Sequence, residues 1–192
     1  MPTQVFGNFT DNIPNSKEYL TISFSPDSSP RKQRWRNYGL SADFLGDYFA
    51  AFFPGDTAPD SKINQRNTVK AAVSFIANEF LENAVKYNDD LAQLPISISL
   101  HLYEQQIIFH IVNYPSEAAA NQYQKFIQEL TEANLEDYYI EQLERTAAGE
   151  DISGMGILTM MNDYSAHFGW KFQVLKQQPT IVQVDVLAYL NL

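Results

Sequence analysis

Glu79, Asn83 and Lys86 are the residues of this sequence whose types and spacing could support chemistry on a phosphate group. They are spaced by four and then three residues, so an α-helix places them on one stripe. The amide oxygen of Asn83 is suited to bind Mg²⁺, and the ammonium of Lys86 could contact a phosphate. Glu79 could orient or deprotonate a hydroxyl nucleophile. From spacing alone, an ordinary amphipathic helix with a solvated Glu–Lys face is the more frequent interpretation.

The helix that carries these residues is predicted over residues 65–87. A second stripe of the same segment is apolar and is expected to face a sheet. Its members are Val69, Val73, Ile76, Phe80, Ala84 and Tyr87. The three polar residues would therefore lie at the edge of the core.

A second candidate segment contains Gly154 and Gly156, followed by a predicted helix over residues 157–168. Glycines allow the backbone to approach a phosphate closely, and a helix N-terminus favours an anion. Two glycines at this spacing are, on their own, more often a hinge before a helix. The two glycines indicate a phosphate site only in combination with the helix predicted over residues 65–87.

The sequence NEFLENAVKYN, with Glu79, Asn83, Ala84, Lys86 and Tyr87, resembles the N-box of the GHKL (histidine kinase-like) ATPase superfamily. That superfamily includes histidine kinases, anti-sigma-factor kinases and gyrase-type ATPases. The resemblance implies that Asn83 holds the metal of Mg·ATP and that Glu79 is the catalytic base. The segment SGMGILTMMNDYSAHFGWKFQVL resembles the later glycine box of the same proteins, which implies that Gly154 and Gly156 surround the phosphates.

The first glycine box of that superfamily is missing from this sequence. Asn113 stands where the superfamily has an aspartate that accepts a hydrogen bond from adenine, and Tyr114 and Pro115 replace the glycines. An asparagine oxygen can accept the same bond, but the amide is neutral. We therefore expect Mg·ATP binding to be weak or absent. The phosphoacceptor domain of sensor kinases is also not found.

Three features of the chain resemble the SiaB-like regulator family. They are residues 34–53, the asparagine at position 113 and the acidic helical stretch before the last glycine box. Residues 39–45 are most similar to its cyanobacterial branch, and the resemblance covers nearly the whole chain. It implies a STAS-like anti-anti-sigma partner, phosphorylated on Ser or Thr and reset by a PP2C-type phosphatase. Two hypotheses stay open: a serine/threonine kinase of the anti-sigma-factor type, or a non-catalytic binding module that has lost nucleotide.

The order of predicted elements indicates an α+β two-layer sandwich with helices on one face of a mixed, mostly antiparallel sheet. The resemblance makes this a Bergerat-type fold in a single domain, residues 1–192. Residues 1–64 are predicted to contain two N-terminal strands, 3–9 and 18–24, and a helix over 41–53 with Ser41 as its N-cap. The N-box helix (65–87), a hairpin (96–113) and a helical insert (115–148) follow. Residues 149–192 hold the glycine box, a helix and the final strands, 171–175 and 180–187.

The composition limits the partners of the chain. A net charge of −10 over 192 residues argues against nucleic acid and anionic membrane surfaces as ligands. The absence of cysteine, of a signal-peptide pattern and of a long apolar run predicts a cytoplasmic protein. The expected partner is thus another protein, and residues 40–53 are favoured over 123–143 as its docking surface. The same surface would serve a homodimer or the STAS-like protein.

Three histidines and two tyrosines raise smaller questions. His101 and His110 fall on the two strands of the predicted hairpin, but a metal site there is far less expected than ordinary histidines. His167 is predicted at the end of a helix. Tyr138 and Tyr139 are expected to pack against the sheet, with a docking surface as the alternative.

Overall fold

The computed structural model describes residues 3–26, 35–54, 65–150, 154–177 and 179–192. It is an α+β fold in which helices pack on a six-stranded sheet, as the order of elements predicted. Residues 26–36 and 55–64, whose composition predicts loops, lie almost wholly outside the described residues, as do residues 151–153 before the predicted glycine box. No helix of the described part is long and apolar enough to cross a membrane.

The sheet has the spatial order β1-β5-β6-β4-β3-β2. All five pairings are antiparallel, so the prediction of a mixed sheet is wrong for the strands that the structure describes. The chain leaves β1 at one edge and enters β2 at the other. The strands are β1 Gln4–Gly7, β2 Glu18–Phe24, β3 Ile96–Leu102, β4 Gln106–Asn113, β5 His167–Gln177 and β6 Thr180–Asn191.

Alternation along the strands separates two faces of this sheet. Ile96, Ile98 and Leu100 of β3 are buried toward the helices, whereas Ser97 and Ser99 point to the other face. Aromatic contacts join helices and sheet across the core, with Phe80 of a helix packing on Phe109 and Phe168. The hydrophobic core is therefore the layer between the sheet and the helices.

The opposite face of the sheet is crossed by residues 8–17, which connect the two edge strands. The Tyr189 hydroxyl donates to the Asn8 carbonyl at 2.8 Å, and the Tyr103 hydroxyl donates to the Pro14 carbonyl at 2.6 Å. A Cβ on Gly169 would overlap the backbone of Asn8 and Phe9. The crossing segment thus lies directly on β5, which explains a glycine at this position of the strand.

Helix α2, Gln65–Tyr87, has the predicted bounds. Val69, Val73, Ile76, Phe80 and Ala84 are buried as the apolar stripe predicted. The last member of the stripe, Tyr87, is instead exposed. The stripe ends one turn early because the helix reaches the rim of the sheet there.

Helix α1, Trp35–Ala50, begins earlier than predicted. Ser41 is not its N-cap, since it lies inside the helix and its hydroxyl donates to the Asn37 carbonyl at 2.7 Å. A serine can bond back to the preceding turn in this way as well as cap a helix, so the residue type alone did not distinguish the two. The helix packs on α2 and on the inner side of β2, where Tyr38 contacts Phe24.

The predicted helical insert forms two helices, α3 Glu117–Glu132 and α4 Leu135–Ala147. Ser116 caps the first and Asn134 caps the second, each accepting from backbone N–H groups of the first turn. The Tyr123 hydroxyl accepts a hydrogen bond from the Trp170 indole at 2.9 Å and so joins α3 to β5. Tyr138 and Tyr139 are partly buried against the core.

Helix α5, Met155–Asp163, is shorter than predicted, and β5 and β6 are longer. Phe168 belongs to β5, and His167 begins that strand rather than ending a helix. Ser165 adopts a positive φ of 51° and turns the chain from the helix into the strand. The predicted helix ran too far because Phe168 continued its apolar spacing, although Phe168, Trp170 and Phe172 also alternate as a strand does.

Candidate functional site

A cavity of about 520 Å³ lies between the sheet and the helical layer. Its volume falls in the range of about 300–1,000 Å³ that is usual for small-molecule sites. The sheet and α2 form its floor, α3 and α4 form its outer wall, and the start of α5 closes one side. The lining residues are Phe80, Asn83, Ala84, Tyr87, Ile111, Asn113, Pro115, Ala119, Gln122, Tyr123, Lys125, Phe126, Glu129, Tyr138, Gln142, Arg145, Gly154, Ile157, Val184 and Val186.

The end of α2 is tied to the end of β4, and this places Asn83 near Asn113. The Asn88 side chain accepts from the Tyr114 N–H at 3.0 Å, and the Asp89 N–H donates to the Tyr114 carbonyl at 2.7 Å. An isolated bridge between Asn88 and Pro115 completes the connection. The two sequence segments predicted to form one site therefore meet at one cavity.

Asn113 is a polar residue in an apolar environment. It is only 8% exposed, and its side chain makes no hydrogen bond to another described residue. Its neighbour across the sheet is Val184 of β6. Asn113 lines the cavity, which therefore presents a hydrogen-bonding group that a bound molecule could contact.

Gly154 is held by both its backbone and its surroundings. Its φ is 100°, which L side chains rarely adopt, and a Cβ there would lie 2.5 Å from the Phe126 ring. The glycine lets α3 approach the start of α5. The ring of Phe126 consequently occupies the space in front of this glycine.

Gly156 is in close contact with Glu79. A Cβ at position 156 would overlap the Glu79 carboxylate. Glu79 is therefore directed at the first turn of α5 and is not among the residues that line the cavity. Burial, followed by the nearby charge of Glu82, raises the pKa of Glu79 above its ordinary value.

Lys86 is separated from the other predicted site residues. It is exposed, its ammonium lies 5.2 Å from the centroid of the Tyr87 ring, and it does not line the cavity. Helical spacing placed Lys86 on the Asn83 stripe, but in the last turn of α2 it is Tyr87 and not Lys86 that lines the cavity.

Two cations at the cavity were missed from the sequence, Lys125 of α3 and Arg145 of α4. Arg145 is engaged by Glu150, with 2.8 Å between Nη2 and Oε2, and it also donates to Gln142 at 3.3 Å. Lys125 forms no ion pair with a described residue. Their positions depend on how two separate helices fold over the sheet, which helical periodicity does not specify.

The residues around the cavity fit a triphosphate poorly. Phe126 occupies the space at Gly154, and the carboxylate of Glu79 occupies the space at Gly156. A phosphate brought to these glycines would meet an aromatic ring and a carboxylate of like charge. Within the described residues no group of three or more His, Asp or Glu side chains is arranged to hold a metal ion. Asn83 remains the predicted Mg²⁺ ligand, and Glu129 is the acidic residue that lines the same cavity.

A second polar cluster lies on the opposite face of the sheet. The Asp185 carboxylate contacts His110 at 2.9 Å and accepts from Gln183 at 2.7 Å. Burial, followed by the charge of His110, lowers the pKa of His101, and Ser16 of the crossing segment contacts the His101 ring at 3.2 Å. Among the described residues, these histidines and the carboxylate are not grouped as three potential metal ligands. The contact of Ser16 with His101 joins the crossing segment to the sheet.

No family model matches the chain, and no curated protein is significantly similar to it.

Proposed function

We propose that this chain is a regulatory protein with a Bergerat-type fold, related to the GHKL ATPases, that acts by binding a STAS-like anti-anti-sigma protein. One observation carries the proposal. Asn83 of the N-box-like segment, Asn113 at the adenine-acceptor position and Gly154 of the glycine box line one cavity. They are far apart in sequence, and their meeting is the arrangement that the resemblance requires. A cytoplasmic location belongs to the same proposal.

Of the two functional hypotheses, the non-catalytic binding module has the stronger support. Phe126 and the Glu79 carboxylate lie against Gly154 and Gly156 on the side where a Cβ would be, so an aromatic ring and an acid border the predicted phosphate loop. Glu79 lies against α5, and Lys86 lies outside the cavity, so neither is placed for the role that the resemblance assigns to it. The cavity is then a remnant of a nucleotide site that now serves as part of a protein-binding domain.

A serine/threonine kinase is the second candidate, favoured by the shared cavity of Asn83 and Asn113. In that case Mg·ATP would be held by these amides, and a PP2C-type phosphatase would reset the phosphorylated partner. Radiolabelled ATP incubated with the chain and a purified STAS-domain protein separates the two candidates. Phosphate transfer that is lost in Asn83→Ala would favour the kinase.

We assign the STAS-like partner to the outer side of α4, within residues 123–143, which was the second choice from the sequence after residues 40–53. Ile140 and Leu143 are exposed there, at 50% and 43%. The same helix lines the cavity with Tyr138 and Gln142, so a protein bound to α4 would sense the state of the cavity. An apolar centre with a polar rim is the usual pattern of a protein interface, and α4 carries acidic residues around these two.

Affinity capture from native lysate, followed by mass spectrometry, tests this function. We expect a STAS-domain protein to be enriched on the wild-type chain and lost on Ile140→Glu. Phe44→Glu, which adds the same charge on α1, should keep it. Recovery of no protein, or recovery of a protein of another class through Ile140, would contradict the proposal.

A further inference from the structure

Within the described residues, β2 forms a free edge of the sheet. In the described part of the chain β2 pairs with β3 alone and ends the sheet. Proteins usually protect such edges with charges, proline, bulges or short strands, because an open edge can pair with another strand. The opposite edge, β1, is only four residues long. In contrast, β2 has seven residues, and its run 20–24 contains no charge and no proline.

In the part of α1 whose side chains the structure describes, the side next to this edge is also uncharged. Gly46 marks the side of α1 that contacts α2, since a Cβ there would overlap Ser74. Asn37, Ser41, Phe44 and Tyr48 recur at helical spacing on the opposite side, which points past β2. Phe44 is 51% exposed and packs on Tyr48, with 6.0 Å between ring centroids.

The one acidic residue of this surface is already engaged. The Tyr48 hydroxyl donates to the Glu18 carboxylate at 2.7 Å, at the start of β2. Asp47 of α1 lies on another side of the helix and pairs with Lys70 of α2 at 2.5 Å. A basic partner would therefore find little to recognise here. An uncharged strip on a chain of net charge −10 is instead suited to a partner that is itself acidic.

We infer that this surface joins two copies of the chain through antiparallel pairing of β2 with β2. The two-fold axis passes through Thr21, so that Leu20 of each copy faces Ile22 of the other. These two side chains are only partly buried in one copy and become covered by the pairing. The sheets form one twelve-stranded sheet, and the α1 helices meet across the axis through Phe44 and Tyr48.

The strand is self-complementary in this register. Tyr19 faces Ser23, and Glu18 faces Phe24, so no like charges are directly opposite. The two Glu18 residues are separated by six residues of strand, about 20 Å. This is well beyond the screening length of about 8 Å at physiological salt. The net negative charge of the chain consequently does not oppose the contact locally. The inference does not depend on the proposed function.

Disulfide trapping tests the pairing and its register, because the chain has no cysteine of its own. Opposing Cα atoms of an antiparallel pair are about 4.5–5.5 Å apart, within the span of a disulfide. We expect Thr21→Cys to form a covalent dimer on mild oxidation. Ser23→Cys alone should not, but it should cross-link to a Tyr19→Cys copy. Val5→Cys on the opposite edge is the matched control, and equal cross-linking of Thr21→Cys and Val5→Cys would overturn the inference.

Sedimentation velocity tests the contribution of α1 without covalent chemistry. The wild-type chain should dimerise reversibly, and Phe44→Glu should weaken the dimer at least tenfold. Leu91→Glu, which adds the same charge to an exposed leucine elsewhere, should leave it unchanged. A wild-type chain that stays monomeric, or one that dimerises equally well with Phe44→Glu, would overturn the inference. Binding of an extended peptide to a monomeric chain would assign the edge to a different occupant.

Discussion

At the scale of single residues, the Glu79 carboxylate occupies the space that a side chain at position 156 would need, at the start of α5. The carboxylate can stay there only because position 156 has no side chain. In the resemblance, both residues belonged to a catalytic site. In the structure, their contact is part of how α2 packs on α5.

A double-mutant cycle measures this contact. Gly156→Ala should destabilise the chain, because the new methyl group forces the Glu79 carboxylate to move. In a Glu79→Ala background the same change should be neutral or stabilising, since alanine is favoured over glycine in a helix by about 1 kcal/mol. Urea unfolding of the four proteins gives the coupling energy. Equal effects of Gly156→Ala in both backgrounds would mean that the two residues do not interact.

The pH dependence of stability should report on Glu79. Its pKa is raised in the folded chain, chiefly by burial, so the folded state favours the protonated carboxyl. The contribution of this group is therefore fully present below the ordinary pKa of a glutamate and is lost as the pH rises through the higher folded pKa. Glu79→Gln should raise the melting temperature near neutral pH and have less effect near pH 4.

Glu132→Gln, on an exposed position of α3, is the control for removal of one charge. It should leave the difference in melting temperature between the two pH values close to that of the wild type. If Glu79→Gln lowers stability at neutral pH, the carboxylate has a favourable partner there, and the role of burial is wrong.

At the scale of elements, the contact between α1 and α2 depends on Gly46. A Cβ at this position would overlap the Ser74 hydroxyl and lie 2.9 Å from the Lys70 carbonyl, which belongs to the backbone. Gly39 is on the same helix, but a Cβ there would come no closer than 4.0 Å to Asn78. The two glycines thus form a matched pair in one helix.

Gly46→Ala should destabilise the chain by about 1–3 kcal/mol, because the helices must separate. Gly39→Ala should stabilise it by up to about 1 kcal/mol through helix propensity. Chemical denaturation of both variants gives the two signs directly. A stabilising Gly46→Ala would show that α1 and α2 are less closely packed than described.

The connection of α3 to the sheet depends on Tyr123. Burial raises the pKa of its hydroxyl, which accepts from the Trp170 indole. Tyr123→Phe should cost about 1–3 kcal/mol, since it leaves a buried N–H without a partner. Tyr139→Phe, on α4, is the control and should cost less. Fluorescence of the tryptophans during unfolding reports the change.

At the scale of the whole molecule, local patterns predicted α2 and the β3–β4 hairpin because each has a strong period of its own. The start of α1 and the end of α5 were misplaced, since Ser41 and Phe168 each fit two local structures. Of the residues predicted to bind or act on a nucleotide, Asn83, Asn113 and Gly154 line one cavity, whereas Glu79, Lys86 and Gly156 do not, and their roles stay predictions. Packing between distant segments places Lys125 and Arg145 at the cavity and directs the Glu79 side chain toward α5. No local sequence pattern contains this information.

We propose that this cavity keeps the amides of a nucleotide site without binding nucleotide tightly. Titration calorimetry with Mg·ATP tests it most directly, with Asn83→Ala and Asn113→Ala as controls. We predict no saturable binding tighter than about 1 μM, which corresponds to about 8 kcal/mol. Tighter binding that both substitutions abolish would contradict the account and restore the kinase hypothesis.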